Sequence, residues 1–476
     1  MNDNQEPYRN VCEVIVPAEM CCGCGLCAAL CPVNALQISW NQYGEYEPVE
    51  VNQACITCSV CLTTCPFWDR NDDVEKLSKK VFENIPGIRY TSGAGYYLES
   101  FAGFVVDENI RVRRSSGGLT TWLLETCLRE NMADYVVCVI ANDDTTTRFR
   151  FAILDNVKEI HTAANSAYYP TEMSEVVREI CRQPGRYVVV GIPCFLAGLR
   201  LAMQHDKKLR ERIVVLVGLT CGQVKNKKFT EYLISNVGAT PDEAIYIDFR
   251  HKDSRTPAND LVFRFTTRDN ETSKQELHWR SIYGQAWKRG YFRLNACNYC
   301  DDVFAEAADV TFMDAWLPEY REDWRGTNLV IVRQPHIIKI LKSGMDRSEI
   351  SLDSIEIIKV LQSQAQVLHN KRDFLAYRLY LANRQNSPKY VPNRRVVPKR
   401  VPFIDRMLIV SQTQMAMLSR KHFAGDNRAF GSRNLRKFKF RIIPALLLYE
   451  MSLFLDRWGR RLPQRVKRKI GSLLLK

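Results

Sequence analysis

The stretch CCGCGLCAALCP at positions 21–32 carries five cysteines within eleven residues. Counted from Cys21, the spacing is Cys-x2-Cys-x2-Cys-x3-Cys-Pro, and the same spacing begins again at Cys55, 34 residues later. Bacterial two-cluster ferredoxins have this run: its short spacings wrap one cubane, and its fourth cysteine ligates the other cluster. The repeat predicts two 4Fe-4S clusters, one held by Cys21, Cys24, Cys27 and Cys65 and the other by Cys31, Cys55, Cys58 and Cys61.

Two zinc sites or a disulfide knot are the alternatives for these cysteines. Zinc sites usually supply two paired hooks and not three cysteines in quick succession. The chain has 17 cysteines, but its first residues, MNDNQEPYRN, have neither the basic nor the apolar region of a secretory signal. Metal or redox chemistry is therefore favoured over disulfides. Cys22 is left over, because a cluster that began there would break the repeat.

Four further cysteines lie beside strand-like segments in the body of the chain. Cys194 opens a helical pattern after the apolar run 187–191, and Cys221 follows the next apolar run. Sites in open α/β sheets collect at the carboxyl ends of strands. With the pair Cys297 and Cys300 these residues make a third set of four ligands, for which spacing alone favours zinc and iron–sulfur equally. A nucleophilic Cys194 is the alternative, although no histidine lies in these motifs.

Two segments without cysteine are candidates for binding anions. In RRSSGGLTTWLL, at 113–124, serines and glycines precede an apolar-periodic helix, whose free N–H groups and dipole suit a phosphate. The alternative is a plain capped helix with Ser115 or Ser116 as the N-cap. Further on, DFRHKD supplies Arg250 and Lys252, which can bind an anionic substrate or a cofactor phosphate unless they form a solvated strand end.

The elements that carry these residues follow an α/β pattern. Apolar runs at 135–140, 187–191 and 213–219 predict buried strands, and helical patterns follow at 118–130 and 194–205. Such alternation indicates a core with some parallel pairing. The strands AIYIDFR and LVFRFTTR lack a helix between them, so a mixed sheet is expected. The aromatic segment HWRSIYGQAWKRGYF either walls a flat ring system or packs in an ordinary core.

The basic charge of the chain is concentrated at its end. Residues 391–476 hold 21 Lys and Arg against four Asp and Glu, whereas the whole chain has a net charge of +14. Apolar clusters stand beside these charges, interrupted by Pro444 and Glu450, and no apolar run is long enough to span a bilayer. Peripheral contact with an anionic membrane is the favoured interpretation. A partner-docking helical appendage, a solvated basic face and nucleic-acid contact are the alternatives.

From about residue 97 to 380, the chain resembles the coenzyme F(420) hydrogenase/dehydrogenase beta-subunit family. The landmarks are IRVRRSSGGLTTWLL, VVVGIPCFLAGLR, LVGLTCGQVKNKKF, DFRHKD, CNYC and ADVTFMDAW, in that order. Two departures concern the substrate pocket. Ala167 stands where many members carry a lysine, and Cys221 lacks the histidine that often follows it.

The resemblance implies cofactors for the core as well as a fold. It implies FAD bound by Ser115, Ser116, Gly117, Gly118 and Thr120, and a third 4Fe-4S cluster held by Cys194, Cys221, Cys297 and Cys300. With the two terminal clusters, these assignments use twelve cysteines. Cys127 and Cys138 lie in apolar patterns and are expected in the core, while Cys12 and Cys181 have no assigned role.

The predicted organisation is a ferredoxin-type 2x(4Fe-4S) domain at 1–70, a linker at 71–98, a mixed-sheet α/β core that binds flavin at 99–385, and a mostly helical basic tail at 386–476. The fold class is thus α+β and α/β.

The predicted function is an iron–sulfur flavoprotein oxidoreductase that passes electrons between clusters and FAD, to or from a hydride-accepting substrate. Its expected partner is a redox protein or a small electron donor, and its expected location is cytoplasmic, with the tail on the inner face of the membrane as an option. An electron-transfer subunit that feeds a partner enzyme, for example in polysaccharide biosynthesis, is the alternative. Nucleic acid is not an expected partner, since no base-reading motif is present, and the sequence identifies no catalytic proton donor.

Overall fold

The computed structural model describes residues 9–161, 163, 165–267, 270–386, 388, 390–422 and 432–461. The strands in these residues are β1 (Leu36–Trp40), β2 (Tyr46–Glu50), β3 (Arg89–Thr91), β4 (Gly95–Tyr97), β5 (Glu99–Val105), β6 (Tyr135–Ala141), β7 (Phe149–Leu154), β8 (Tyr187–Gly191), β9 (Ile213–Leu219), β10 (Ala244–His251), β11 (Val262–Thr267), β12 (Asn270–His278), β13 (Val310–Asp314), β14 (Asn328–Val332) and β15 (Ile350–Ser354).

The α-helices in the same residues are α1 (Val11–Val14), α2 (Leu26–Ala29), α3 (Val60–Thr63), α4 (Val74–Phe82), α5 (Glu108–Arg113), α6 (Leu119–Arg129), α7 (Val157–Ile160), α8 (Ser174–Arg182), α9 (Pro193–His205), α10 (Lys207–Arg212), α11 (Lys228–Asn236), α12 (Gly284–Lys288), α13 (Pro318–Arg321), α14 (Pro335–Asp346), α15 (Ile357–Ser363), α16 (Ala365–Lys371), α17 (Asp373–Gln385), α18 (Phe403–His422) and α19 (Ser432–Arg461). Short 3-10 helices cover Pro241–Glu243 and Asn295–Tyr299, and a π-helical turn covers Trp279–Tyr283.

The predicted mixed sheet is confirmed. Its strand order is β15-β5-β14-β13-β9-β8-β6-β7. Pairing is parallel from β13 through β9 and β8 to β6, and antiparallel towards both edges. All five residues of β8 are buried, as expected for a strand that is covered on both faces. The apolar runs predicted as strands at 135–140, 187–191 and 213–219 are β6, β8 and β9.

Two strands expected in the main sheet lie outside it. AIYIDFR and LVFRFTTR form β10 and β11, which pair with β12 in a separate antiparallel sheet, with Ile247 opposite Phe265. No crossover helix lies between them, so they pair directly as neighbours along the chain. Their apolar face, which includes Phe263 and Phe265, packs with α11 and the tail helices.

The N-terminal cysteine-rich segment packs directly on the α/β core. Leu26 and Ala28 of α2 share one hydrophobic cluster with Val177 of α8 and Leu199 of α9. Two backbone carbonyls of the segment also accept hydrogen bonds from the core. Cys24 O accepts the N–H of Met173 at 3.0 Å, and Ala28 O accepts an Nη2–H of Arg178 at 3.0 Å.

The linker predicted at 71–98 is structured. It contains α4, which buries Val74, Leu77 and Phe82, and the hairpin of β3 with β4. The reason is the apolar periodicity of α4, which gives the helix a face to bury against Ala197 and Leu201 of α9.

A glycine of α9 lies where the N-terminal segment meets the core. A Cβ on Gly198 would stand 2.5 Å from Leu26 Cδ1 and 3.4 Å from Thr64 O. We expect Gly198→Ala to lower the free energy of unfolding by about 1–2 kcal/mol, because overpacking outweighs the gain of roughly 1 kcal/mol in helix propensity. Urea unfolding of the full chain measures this effect. An equal or more stable variant would show that the segment does not press on α9.

The described part of the tail is mostly helical, as predicted, and is attached to the N-terminal segment, whereas 423–431 and 462–476 lie outside the described residues. Arg420 of α18 donates from Nε to Glu45 Oε1 at 2.7 Å and from Nη1 to Glu19 Oε2 at 2.6 Å. α18 and α19 pack on each other and on the second sheet through Met415, Phe438 and Ile442. Within the described residues, no helix is both long enough and apolar enough to cross a bilayer.

Candidate functional site

The first predicted cluster set is brought together from two places in the chain. Cys21, Cys24 and Cys27 lie on the turn into α2, and Cys65 comes from the end of α3. Burial raises the pKa of Cys65 to about 12, and the neighbouring Cys24 adds to this rise. The pKa of Cys21 is raised well above its ordinary value by burial and by Cys24 and Cys65, while the Gly23 N–H, 3.4 Å from Cys21 Sγ, opposes the rise.

The second predicted set also converges. Burial raises the pKa of Cys61 to about 11, and the charges of Cys58, Cys55 and Cys31 raise it further. The N–H of Ala35 donates to Cys31 Sγ at 3.2 Å. In both sets, the fourth cysteine of one repeat thus lies with the first three cysteines of the other repeat, as the ferredoxin spacing predicts.

The backbone preserves the 34-residue repeat. Gly23 and Gly25 have φ of +75° and +82°, and the positions 34 residues later, Thr57 and Ser59, have φ of +54° and +59°. Left-handed backbone costs a non-glycine residue about 1 kcal/mol or more, so the surrounding structure must impose it. We interpret these positions as the turns that wrap each group of three cysteines around one centre.

The third set assembles around the carboxyl ends of β8 and β9. Cys194 is the second residue of α9, Cys221 follows β9 by two residues, and Cys297 and Cys300 lie in and just after the 3-10 helix 295–299. Burial raises the pKa of Cys297 to about 11, whereas the Val224 N–H, which donates to its Sγ at 3.2 Å, lowers it. Burial also raises the pKa of Cys221, with smaller contributions from Cys297, Cys194 and Cys300.

A buried lysine that the sequence analysis missed lies against this third set. Lys371, at the end of α16, is 4% exposed. Its Nζ donates to Cys300 Sγ at 3.2 Å and to the carbonyl oxygen of Asp302 at 2.6 Å. Burial alone lowers the pKa of Lys371, but Cys300, Cys221 and Cys297 outweigh burial and raise it above the ordinary value. The lysine therefore supplies a cation to a group of sulfurs.

The backbone donors around the cysteine sets are of the kind that accompany iron–sulfur clusters. Among the described residues, no three His, Cys, Asp or Glu side chains surround one point closely enough to hold one metal ion. A single zinc ion needs all its sulfurs at about 2.3 Å, whereas a cubane spreads its cysteines over separate irons. The N–H groups that donate to Cys21, Cys31 and Cys297 are also the kind of donor that stabilises cluster sulfur.

Cys22, which the spacing left over, lies between the first and third sets. Its buried thiol interacts with Cys194 and Cys24, and these interactions, together with burial, raise its pKa well above the ordinary value. The two sets are therefore in contact through one side chain. The remaining cysteines are placed as follows: Cys127 and Cys138 are buried in the core as predicted, Cys12 donates to Pro48 O at 3.4 Å, and Cys181 is half-buried beside the core.

The predicted phosphate-binding segment lines a small, partly open cleft. Ser115 and Ser116 face it together with Trp316, Trp324 and Thr327. The helix that follows begins after Gly118, whose φ is +85° and which has no side chain with which to cap it. The alternative of Ser115 or Ser116 as N-cap is therefore wrong.

The hydroxyls and glycines of this segment bond and pack elsewhere. Ser116 Oγ donates to Thr327 O at 2.9 Å, and Ser115 Oγ accepts the Ser166 N–H at 2.8 Å. Gly117 is packed so closely that a Cβ would stand 2.7 Å from Gly103 O, and Thr120 lies in the first turn of α6. The N–H of Leu119 is already accepted by Asn328 Oδ1 at 3.1 Å, which leaves fewer free N–H groups for an anion.

Arg250 and Lys252 of DFRHKD line the same cleft. Arg250 is buried, so the alternative of a solvated strand end is wrong for this residue. This residue is 6% exposed and donates two bonds to the carboxylate of Asp314, at 2.8 and 2.6 Å. Its Nε is buried without a hydrogen-bond partner among the described residues. Lys252 Nζ donates to the carbonyl oxygens of Arg111 and Ser116, each at 2.7 Å, and also to that of Arg325.

The state of Lys252 makes stability depend on pH. Burial, followed by the charges of Arg250 and Arg111, lowers the pKa of Lys252 from 10.5 to about 7. Between pH values of about 7 and 10.5, the Lys252 side chain is protonated in the unfolded chain and neutral in the folded chain. Its contribution to the free energy of unfolding therefore increases as pH rises from about 7. Urea unfolding at pH 7 and pH 9.5 measures this contribution as a difference: over the interval, the stability of Lys252→Met should rise less, or fall more, than that of the unmodified chain. Lys339→Met, an exposed lysine of α14, is the control and should leave it unchanged.

The aromatic segment 278–292 packs as ordinary core. Trp279, Tyr283 and Trp287 contact one another, with ring centroids 5.0 Å apart for the first pair and 5.9 Å for Trp279 with Trp287. Tyr283 is fully buried, and its hydroxyl donates to Phe249 O at 2.8 Å. Of the two alternatives for this segment, the structure supports core packing.

Comparison with known proteins matches three parts of the chain to protein families. The 4Fe-4S binding domain model matches residues 14–37. Models of the coenzyme F(420) hydrogenase/dehydrogenase beta subunit match residues 100–178 with their N-terminal part and residues 185–357 with their C-terminal part. Together these matches cover most of the main sheet and eight of the twelve predicted ligand cysteines, while the four of the second repeat, at 55–65, lie outside them.

Individual relatives are distant. An uncharacterized protein of Methanocaldococcus jannaschii, MJ1349, is 21% identical over 326 residues, which are 64% of this chain and 82% of that protein. An uncharacterized ferredoxin of the same organism, MJ0722, is 37% identical over 54 residues, which are 11% of this chain and 69% of that protein.

A chain in a structure of the F(420)-reducing hydrogenase complex from Methanosarcina barkeri is similar at a TM-score of 0.48 and 13% identity, over 64% of this chain and 99% of that chain. The matches to the family models show that the chain has a 4Fe-4S domain at its N-terminal end. They also show that it belongs to the coenzyme F(420) hydrogenase/dehydrogenase beta-subunit family of iron–sulfur electron-transfer oxidoreductase subunits.

Proposed function

We propose that the chain is an iron–sulfur flavoprotein oxidoreductase with three 4Fe-4S clusters and one FAD. Clusters pass single electrons, and a flavin collects two and delivers a hydride equivalent. The observation that carries the proposal is the convergence of twelve cysteines into three sets, with the first and third sets joined through Cys22. This is the arrangement that single-electron transfer between neighbouring centres needs.

Hydrogen-bond donors lie beside several of the cysteines that would hold the clusters, where they would stabilise negative charge on sulfur. Backbone N–H groups point at Cys21, Cys31 and Cys297, and the ammonium group of Lys371 points at Cys300. Without a metal, burial raises the pKa of the buried thiols, so the protein alone disfavours their thiolates. Iron reverses this preference, since a coordinating thiol is deprotonated.

The FAD site is proposed at the cleft beside Ser115 and Ser116. The cleft combines hydroxyl groups, the guanidinium group of Arg250, the amino group of Lys252, and the indole rings of Trp316 and Trp324. The unpartnered Nε of Arg250 is a buried donor in this wall that a phosphate or ring oxygen would satisfy. Gly117, Gly118 and Thr120 hold the turn and the start of α6, so we assign them to the shape of the site.

The acceptor is a reducible substrate that binds near the same cleft. Ser166 contacts Ser115, and the half-buried Tyr168 interacts with Arg250, so the segment 165–171 lies beside the proposed flavin. This segment carries Ala167 where relatives carry lysine. We therefore propose that the substrate is not bound by a lysine at this position, and that deazaflavin is one candidate beside a sugar-linked or polyprenyl-linked acceptor.

A second candidate function is an electron-transfer subunit that feeds a partner enzyme. The family description as a beta subunit favours this candidate, because it implies further subunits. Purified protein that holds flavin and reduces a small acceptor by itself would support the first candidate. Protein that holds clusters but neither binds flavin nor reduces an acceptor would support the second.

Iron, sulfide and flavin analysis of the anaerobically purified full chain tests the proposal. About twelve irons and one FAD per chain are expected. About four irons per chain, zinc in place of iron, or a protein without flavin would each overturn the scheme of three clusters and one flavin.

A further inference from the structure

The last described helix presents a continuous apolar stripe to the outside. Five side chains of α19 are exposed: Phe440 (76%), Ile443 (41%), Leu447 (64%), Met451 (48%) and Phe454 (65%). At 3.6 residues per turn they fall within one narrow sector of the helix over fifteen residues. Exposed apolar side chains scattered singly need no explanation, but a contiguous row marks an interaction surface.

The opposite sector of α19 is buried against the body of the protein. Phe438, Ile442, Ala445 and Tyr449 are each no more than 8% exposed and belong to the cluster of the second sheet and α18. Ser452 on the same side is 1% exposed. The helix is therefore fixed on the body of the protein, and its apolar stripe faces away from that body.

Basic side chains border the stripe on both sides. By the helical repeat, exposed Lys437 lies on one side, and exposed Lys439 and Arg457 lie on the other. Glu450, the exposed acid nearest the stripe, is paired with Arg289 at 2.8 Å. The segment 391–476 that contains the helix has 21 Lys and Arg against four Asp and Glu. The face thus combines an apolar centre with a cationic border.

We propose that this face of α19 binds the surface of an anionic phospholipid bilayer, with the helix in the plane of the interface. An in-plane helix places its apolar side at the boundary of headgroups and acyl chains, and lysine and arginine at that depth bind anionic headgroups. A protein partner would have to supply an acidic rim around an apolar groove, and a second copy of this chain would set one cationic border against another. The charge distribution therefore favours the lipid surface. This proposal does not depend on the presence of clusters or flavin.

The test is flotation of the full chain with vesicles of phosphatidylcholine alone and of phosphatidylcholine with phosphatidylglycerol. The chain is expected to float with the anionic vesicles and to be released by salt. The double variant Phe440→Glu, Leu447→Glu is expected to lose roughly tenfold of the bound fraction, because both side chains leave the interface. Ile358→Glu is the matched control, since Ile358 is a 50% exposed apolar residue on α15, and it should bind as the unmodified chain does.

Three results would overturn the proposal. One is no flotation with anionic vesicles, and another is equal flotation of the double variant. The third is a chain that forms a dimer in solution which the double variant lacks, while vesicle binding is absent, because the stripe would then join two copies. Light scattering coupled to gel filtration measures the oligomeric state, and circular dichroism checks that each variant keeps its helical content.

Discussion

Cys221→Ser is expected to remove about a third of the iron, from about twelve to about eight atoms per chain. Cys221 is a half-buried member of the third set, and a serine hydroxyl is a poor substitute for a thiolate on iron. The N-terminal sets do not include this residue, so their clusters should remain. Iron and sulfide analysis of the anaerobic protein, with electron paramagnetic resonance of the reduced state, measures the loss.

Cys181→Ser is the control for this experiment. Cys181 is half-buried and belongs to none of the three sets, so this variant should keep all of its iron. Full iron in the Cys221 variant would show that the third set holds no cluster. Loss of all iron would show instead that the three sites assemble as one unit, which contradicts the independence of the N-terminal clusters.

Lys371→Met is expected to shift the midpoint potential of the core cluster to more negative values by on the order of 100 mV. Its ammonium group lies 3.2 Å from Cys300 Sγ and is 4% exposed, so solvent screens its charge little. A cation this close stabilises the extra electron of the reduced cluster. A redox titration followed by electron paramagnetic resonance measures the shift.

Lys371→Arg tests, in the same titration, whether the positive charge of this side chain or its shape sets the potential of the core cluster. The guanidinium group keeps the positive charge, so the potential should stay nearer to that of the unmodified protein than in the methionine variant. The N-terminal clusters serve as internal references and should not move. An unchanged core potential in Lys371→Met would contradict the role of this lysine, even if the cluster itself is present.

The N-terminal cysteine sets could be predicted because their information is local. The spacing around Cys21 and Cys55 determines which three sulfurs one turn can bring together. The repeat indicates that the fourth cysteine of each run belongs with the three of the other run. The structure adds the left-handed backbone at Thr57 and Ser59, which no propensity of these residues indicates. Strands such as β8 were predictable for a similar reason, since five consecutive buried residues leave an apolar run.

The rest depends on contacts between distant parts of the chain. Lys371 stands 71 positions after Cys300, in a helix whose sequence, AQVLHNK, gives no sign of a cluster. Arg420 lies 375 positions from Glu45. The alternative of a serine N-cap at the cleft is wrong for the same reason, because Lys252 and Thr327 hold this turn from distant parts of the chain.

The most direct test of the central claim is the anaerobic reduction of the bound flavin by an electron donor that reduces the N-terminal clusters. The flavin absorbance should bleach quickly in the unmodified chain and at least tenfold more slowly in Cys221→Ser, because the core cluster is the proposed link between the N-terminal sets and the cleft. Equal rates of bleaching in the two proteins, each with its flavin bound, would contradict a route through Cys194, Cys221, Cys297 and Cys300.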